Sequence, residues 1–153
     1  MAIEAPLSKY KRNNFKIYIV VCLVLAGWFA YDGYISESFI SEHTTEEGKP
    51  DGVLVFNQKV PPAFVAVAVL LGGYLYAIRG RKLLADDNEL VVAGKERIPY
   101  GQIEMIDKTY FAEKGFFTIV YKRDNGAETK RRLNDRDYDN LEPILDHLVA
   151  KIT

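Results

Sequence analysis

The chain has 153 residues, with 20 Lys+Arg against 21 Asp+Glu and a formal net charge of −1. That balance gives no basic excess for nucleic acid and no acidic tail, so no nucleic-acid partner is expected. One cysteine, Cys22, and two histidines, His43 and His147, exclude an intramolecular disulfide, a CxxC motif and a multi-histidine metal site.

The N-terminal stretch, residues 1–14, is read as a polar, basic cytoplasmic segment carrying Lys9, Lys11 and Arg12. Residues 17–31 then run without a charge. Extended to 15–34, the stretch reaches the roughly 20 residues that cross a hydrocarbon core of about 30 Å. Lys16 and Asp32 stand where side chains snorkel to the interfaces, and Trp28, Tyr31 and Tyr34 form an aromatic belt at the far end. A secretory signal is the rival reading, with Val24-Leu25-Ala26 as a cleavage site. Sixteen residues ahead of the apolar run are long for a signal, which favours an anchor.

Residues 35–59 read as an acidic extracytoplasmic loop, with Glu37, Glu42, Glu46, Glu47 and Asp51 against Lys49 and Lys59. His43 is expected to be a solvated loop residue. Gly52–Phe56 reads as a short β-type run. Residues 60–79 form the second span. Pro61 and Pro62 are placed in the first turn of its helix, where a missing donor costs nothing. Basic residues flank the outer ends of both spans, Lys9 to Lys16 before the first and Arg79 to Lys82 after the second. The positive-inside rule therefore puts both termini in the cytoplasm of a multi-pass protein. Ala26 and Ala30 in one span, and Ala68 and Gly72 in the other, are small-xxx-small pairs suited to helix–helix packing.

Residues 80–153 read as a small cytoplasmic α+β module that folds alone. Short apolar runs at 83–85, 89–92, 97–99, 103–107, 116–122 and 129–133 alternate with turn signals, as in an antiparallel sheet. Asn125-Gly126 is assigned a type I′ hairpin turn. The period then changes: Leu141, Ile144, Leu145, Leu148, Val149 and Ile152 mark one apolar helix stripe that closes the sheet.

The passage Arg97-Ile98-Pro99-Tyr100-Gly101-Gln102-Ile103-Glu104-Met105-Ile106 resembles the I-P-[YW]-x-x-I-x-x-I signature of bacterial pleckstrin-homology-like domains. The resemblance covers about residues 82–153. It implies a small antiparallel sheet or barrel with a C-terminal helix, on a bacterial inner-membrane protein with two N-terminal spans. The full fold of that family has seven strands, and six are legible here.

No activated nucleophile, phosphate loop or cofactor motif is present, so the expected class is a non-catalytic, membrane-anchored interaction module. Its expected partners are the bilayer and a membrane protein for which it serves as an accessory or scaffolding subunit. The alternative is a sensor that contacts anionic lipid through the basic hairpin Lys122, Arg123, Lys130, Arg131 and Arg132, with Lys130 and Arg132 on one face and Arg131 on the other.

Overall fold

A computed structural model describes residues 1–152. The chain divides into two compact units, residues 13–77 and a discontinuous unit of residues 1–12 with 78–153. Residues 1–12 of the basic N-terminal segment thus belong to the same unit as the sheets. Ile3–Pro6 form strand β1, which pairs antiparallel with β2, Lys82–Ala85, in the register Ala5 opposite Leu83 and Pro6 opposite Lys82. The seventh strand comes from the opposite end of the chain, and the module's boundary at residue 80 leaves it out.

The other strands follow the legible runs. β3 is Glu89–Val92, β4 Glu96–Pro99, β5 Ile103–Asp107, β6 Phe116–Lys122 and β7 Glu128–Asn134. They form a four-stranded sheet, β1-β2-β3-β4, and a three-stranded sheet, β5-β6-β7. No ladder joins the two among the described residues, so the sheets do not close into a barrel. A single 3-10 turn, Tyr100–Gln102, carries the chain from one sheet to the other.

Alternation explains the core. Leu83 and Ala85, Leu90 and Val92, Phe117, Ile119 and Leu133 all point inward and are fully buried or nearly so. The C-terminal helix Leu141–Ile152 adds Leu141, Ile144, Leu145 and Leu148 to the same cluster. It packs on β1, β2 and the 3-10 turn.

The β6–β7 connection differs from the type I′ expectation. Only Gly126 has a positive φ, at 79°. Gly126 N–H donates to Arg123 O at 2.8 Å, and Arg123 N–H to Ala127 O at 3.0 Å. That is a type I turn closed by a left-handed glycine, the three-residue hairpin form. The pattern of two successive positive φ values falls instead on Ala93 (55°) and Gly94 (70°), between β3 and β4.

Tyr100, the aromatic residue of the signature, is buried where the two sheets meet, and its hydroxyl donates to Asp86 O at 2.6 Å. Burial, then the nearby Asp86, Asp87 and Glu89 carboxylates, push its pKa up to about 12. The folded value lies above the ordinary one of about 10. The stabilising contribution is thus full below pH 10 and is lost as pH rises through 12. Tyr100→Phe should cost about 1 kcal/mol at neutral pH. The gap between mutant and parent should close across that alkaline window, which denaturant unfolding at stepped pH measures.

In the other unit, helix α1 runs from Lys9 to Tyr34 and α3 from Gly52 to Ile78, with a short α2, Glu37–Glu42, between them. Helix α3 starts eight residues before the expected span, so Gly52–Phe56 is helical rather than β-type. Asp51 caps it, accepting from Leu54 N–H at 2.9 Å, and also holds His43 Nδ1 at 2.8 Å. His43 is thus tied into the loop rather than freely solvated. Pro61 and Pro62 consequently lie inside the helix, not in its first turn. A proline leaves the carbonyl four residues earlier without its donor. Here those carbonyls belong to Asn57 and Gln58. Tyr34 Oη donates to Gln58 O at 2.8 Å. The Asn57 carbonyl lies against Gly33, where a Cβ would come within 2.9 Å of its oxygen. Gln58 Nε2 returns a bond to Gly33 O at 3.0 Å. Tyr34 thus supplies the Gln58 carbonyl with the donor that Pro62 removes.

Candidate functional site

The helix pair is antiparallel and in register along its length. Phe15 meets Tyr74 at 5.3 Å between ring centroids, and Phe29 stacks on Phe64 at 5.9 Å. Ile19 reaches Gly72 at 4.0 Å from its ideal Cβ position. Of the four small residues expected at this contact, Ala26 and Ala68 are buried, while Ala30 and Gly72 are half-buried. Bulky apolar side chains cover the remaining faces: Val20, Val24, Trp28, Val69 and Leu70 are all exposed. Only 6% of the apolar window of α1 and 17% of that of α3 is buried. A core helix of a water-soluble protein buries most of such a surface. Both helices are long and apolar enough to cross a membrane.

The five basic residues of the β6–β7 hairpin do not form one free positive patch. Lys122 Nζ lies 2.6 Å from Glu104 on β5, and the carboxylate holds the Lys122 pKa above its ordinary value. Glu96, on β4 of the other sheet, takes Arg131 Nη1 at 2.9 Å and Arg123 Nη2 at 4.0 Å. Glu96 also accepts from the Tyr121 hydroxyl. Three of the five charges are therefore spent on acids of neighbouring strands. The alternation along β7 is as expected, with Lys130 and Arg132 exposed and Arg131 on the side of Leu133. Arg132 lies over the Phe116 ring at 4.3 Å, and Lys114 over Tyr110 at 4.6 Å. Tyr110 and Phe116 are themselves neighbours at 5.7 Å, so cations and rings alternate across this surface.

The first residues of α1, up to Arg12, belong to the sheet unit. Ser8 is fully buried and caps α1, its Oγ accepting from Lys11 N–H at 3.0 Å and donating to the Arg136 carbonyl. Ser8 N–H donates to Asp137 O at 3.0 Å, and Lys9 N–H to an Asp139 carboxylate oxygen at 3.0 Å. Lys11 Nζ pairs with Asp137 at 2.7 Å. These contacts bring Lys11 and Arg81 beside Arg131 and Arg132, around a small cleft also lined by Leu7, Ile78, Leu133, Asp137 and Tyr138. In the sequence Lys11 and Arg81 signalled only the orientation of the spans. Nothing local links them to β7.

No family model, curated protein or solved structure matches this chain.

Among the described residues, no three His, Cys, Asp or Glu side chains gather around a common point that would hold a metal ion. Cys22 lies along α1, and His147 turns its Nε2 to the Asp86 carbonyl at 3.1 Å. What the surface offers is paired charge, cation–ring contacts and a basic cleft at the helix roots. That chemistry suits binding.

Proposed function

We propose that this chain is a non-catalytic, membrane-anchored interaction module of the bacterial inner membrane. In this reading a two-span hairpin carries a cytoplasmic pleckstrin-homology-like unit, and the whole serves as an accessory subunit of a larger membrane complex. The observation that carries it is the insertion of the helical segment between β1 and β2. Both ends of the apolar helices lead into one folded unit, so both ends lie on the same side of any bilayer the helices cross. That agrees with the Lys and Arg flanks. At 1.5 Å per residue the 26- and 27-residue helices are about 40 Å long, enough for a hydrocarbon core of about 30 Å. Four strands plus three, with a closing helix, are compatible with the small antiparallel sheet and C-terminal helix that the resemblance implies.

Topology and partnership have separate tests. Protease added to intact spheroplasts should cut only between residues 36 and 59, and cleavage of the sheet unit instead would reverse the orientation. Photo-crosslinking from Met105, half-exposed on the sheet unit, and from Gly73, exposed on α3, should trap one and the same membrane protein. Crosslinks to lipid alone at both positions would remove the accessory-subunit reading. The lipid-sensor reading through the hairpin is weaker, because Lys122, Arg123 and Arg131 already hold acids.

A further inference from the structure

We infer that the cleft at the roots of the two long helices, lined by Lys11, Arg81, Arg131 and Arg132, is a binding site for the phosphate of an anionic phospholipid headgroup. The inference rests on the reading that the helices span a bilayer. It does not depend on the accessory-subunit reading.

Three cations, Lys11, Arg81 and Arg131, line it with a single carboxylate, Asp137, and Arg132 borders it with its guanidinium over the Phe116 ring. Like charges gathered in one place repel, and an anion between them relieves that cost. The neighbouring carboxylates relieve only part of it. Asp137 is taken by Lys11 at 2.7 Å, and Arg131 shares Glu96 through one nitrogen. Arg81 and Arg132 form no ion pair among the described residues. Guanidinium groups present a planar fork of N–H donors that matches phosphate oxygens. Tyr138 adds a hydroxyl. It lies close enough to Arg131, Lys11 and Arg81 for their charges to oppose the rise that burial causes in its pKa.

The size and position fit one headgroup. The cleft measures about 190 Å³, below the roughly 300–1,000 Å³ of pockets that enclose a whole small molecule. It has room for a phosphate and leaves the rest of the molecule outside. Leu7, Ile78 and Leu133 form an apolar wall. Lys11 stands one helical turn before Phe15, where the apolar stretch of α1 begins, and Ile78 is the last residue of α3. The cleft therefore lies where each span ends, which is the depth of headgroups. A basic pocket at that depth recognises anionic lipid.

The test uses the full chain in neutral detergent micelles, with thermal unfolding as the readout, because a ligand of the folded state raises the midpoint. Dioctanoyl phosphatidylglycerol should raise it saturably, and dioctanoyl phosphatidylcholine should not. Arg81→Gln should weaken the phosphatidylglycerol response about fivefold, the equivalent of one basic residue at an anionic surface. Arg132→Gln should do the same. Arg81 loses no protein partner, so its variant should unfold at the parent midpoint without lipid; if it does not, Arg132→Gln decides. Lys130→Gln, exposed and outside the cleft, should respond like the parent. Equal responses to the two lipids, or an unchanged response in both arginine variants, would overturn the site. An equal response to inorganic phosphate would overturn the lipid source and assign the cleft to soluble phosphates. Resistance of the membrane-bound protein to alkaline carbonate separates the two readings. Release by carbonate would sink the spanning helices, whereas retention with no lipid preference would sink the cleft alone.

Discussion

A fragment of residues 80–153 should not hold the fold, whereas a chain in which Asn-Gly joins Leu7 directly to Arg81 should. The fragment loses β1, and with it the buried Ala5, Leu7 and Ser8. Burying one Leu contributes about 1.5–3 kcal/mol, and each ladder hydrogen bond about 0.5–1.5 kcal/mol. Removing the strand also bares Leu83 and Ala85, which are fully buried against it. The total approaches the roughly 5–10 kcal/mol that a unit of this size has to lose. The joined chain restores all of this except the Ser8 cap. Pro6 faces Lys82, and Leu7 N–H donates to Arg81 O at 3.1 Å, so Leu7 and Arg81 stand opposite one another. Two residues of Asn-Gly close such a pair as a hairpin. Denaturant unfolding should be cooperative for the joined chain and absent or broad for the fragment. Equal midpoints would mean that β1 is not an integral strand.

The second large effect lies on the closing helix. Leu148 is fully buried, with Ile144 and Leu145 beside it, against β1, β2 and the turn that carries Tyr100. Leu148→Ala should cost about 2–5 kcal/mol through lost burial and the cavity left behind. In the joined chain that is enough to remove most of the folded population at 37 °C. Lys130→Gln should shift stability by no more than about 0.5 kcal/mol, because its side chain is exposed and forms no ion pair among the described residues. A Leu148→Ala midpoint equal to the parent's would mean that the stripe does not face this core.

The sheet and the stripe are legible in the sequence because their signals are local. Leu83-Ala85, Leu90-Val92 and Phe117-Ile119 repeat with period two, and Leu141 to Leu148 with the helical period. Strand β1 is illegible for the opposite reason. Ile-Glu-Ala-Pro is too short to show a period, and its partner lies about 80 residues further on, across two apolar helices. Gly52–Phe56 misleads because Val53, Val55 and Phe56 are residue types that favour strands on average. The Asp51 cap, a local signal outweighed in that reading, starts the helix there, and the tertiary Tyr34 and Gly33 contacts hold its next turn at Gln58 and Asn57. The basic hairpin misleads in charge rather than in shape. Its alternation is correct, but the acids that neutralise it, Glu96 and Glu104, lie on β4 and β5. Conversely, the Lys11–Arg81 proximity follows from β1–β2 pairing and vanishes from view once β1 is missed.

The central claim, that the helical hairpin is an insertion between two paired strands of one unit, has a direct measurement. Glu4 and Leu84 stand opposite each other in the β1–β2 register. Directly opposed residues of an antiparallel pair lie about 4.5–5.5 Å apart between Cα atoms, within reach of a disulfide. In the full chain with Cys22→Ser, the pair Glu4→Cys and Leu84→Cys is oxidised in membranes, and the connection between the two long helices is then cut by protease. The two halves should stay joined on a denaturing gel until reductant separates them, while Glu4→Cys with Arg97→Cys, whose second cysteine lies on β4, should fall apart. Halves that separate without reductant in the Glu4–Leu84 pair, or that stay joined equally in both pairs, would contradict the insertion.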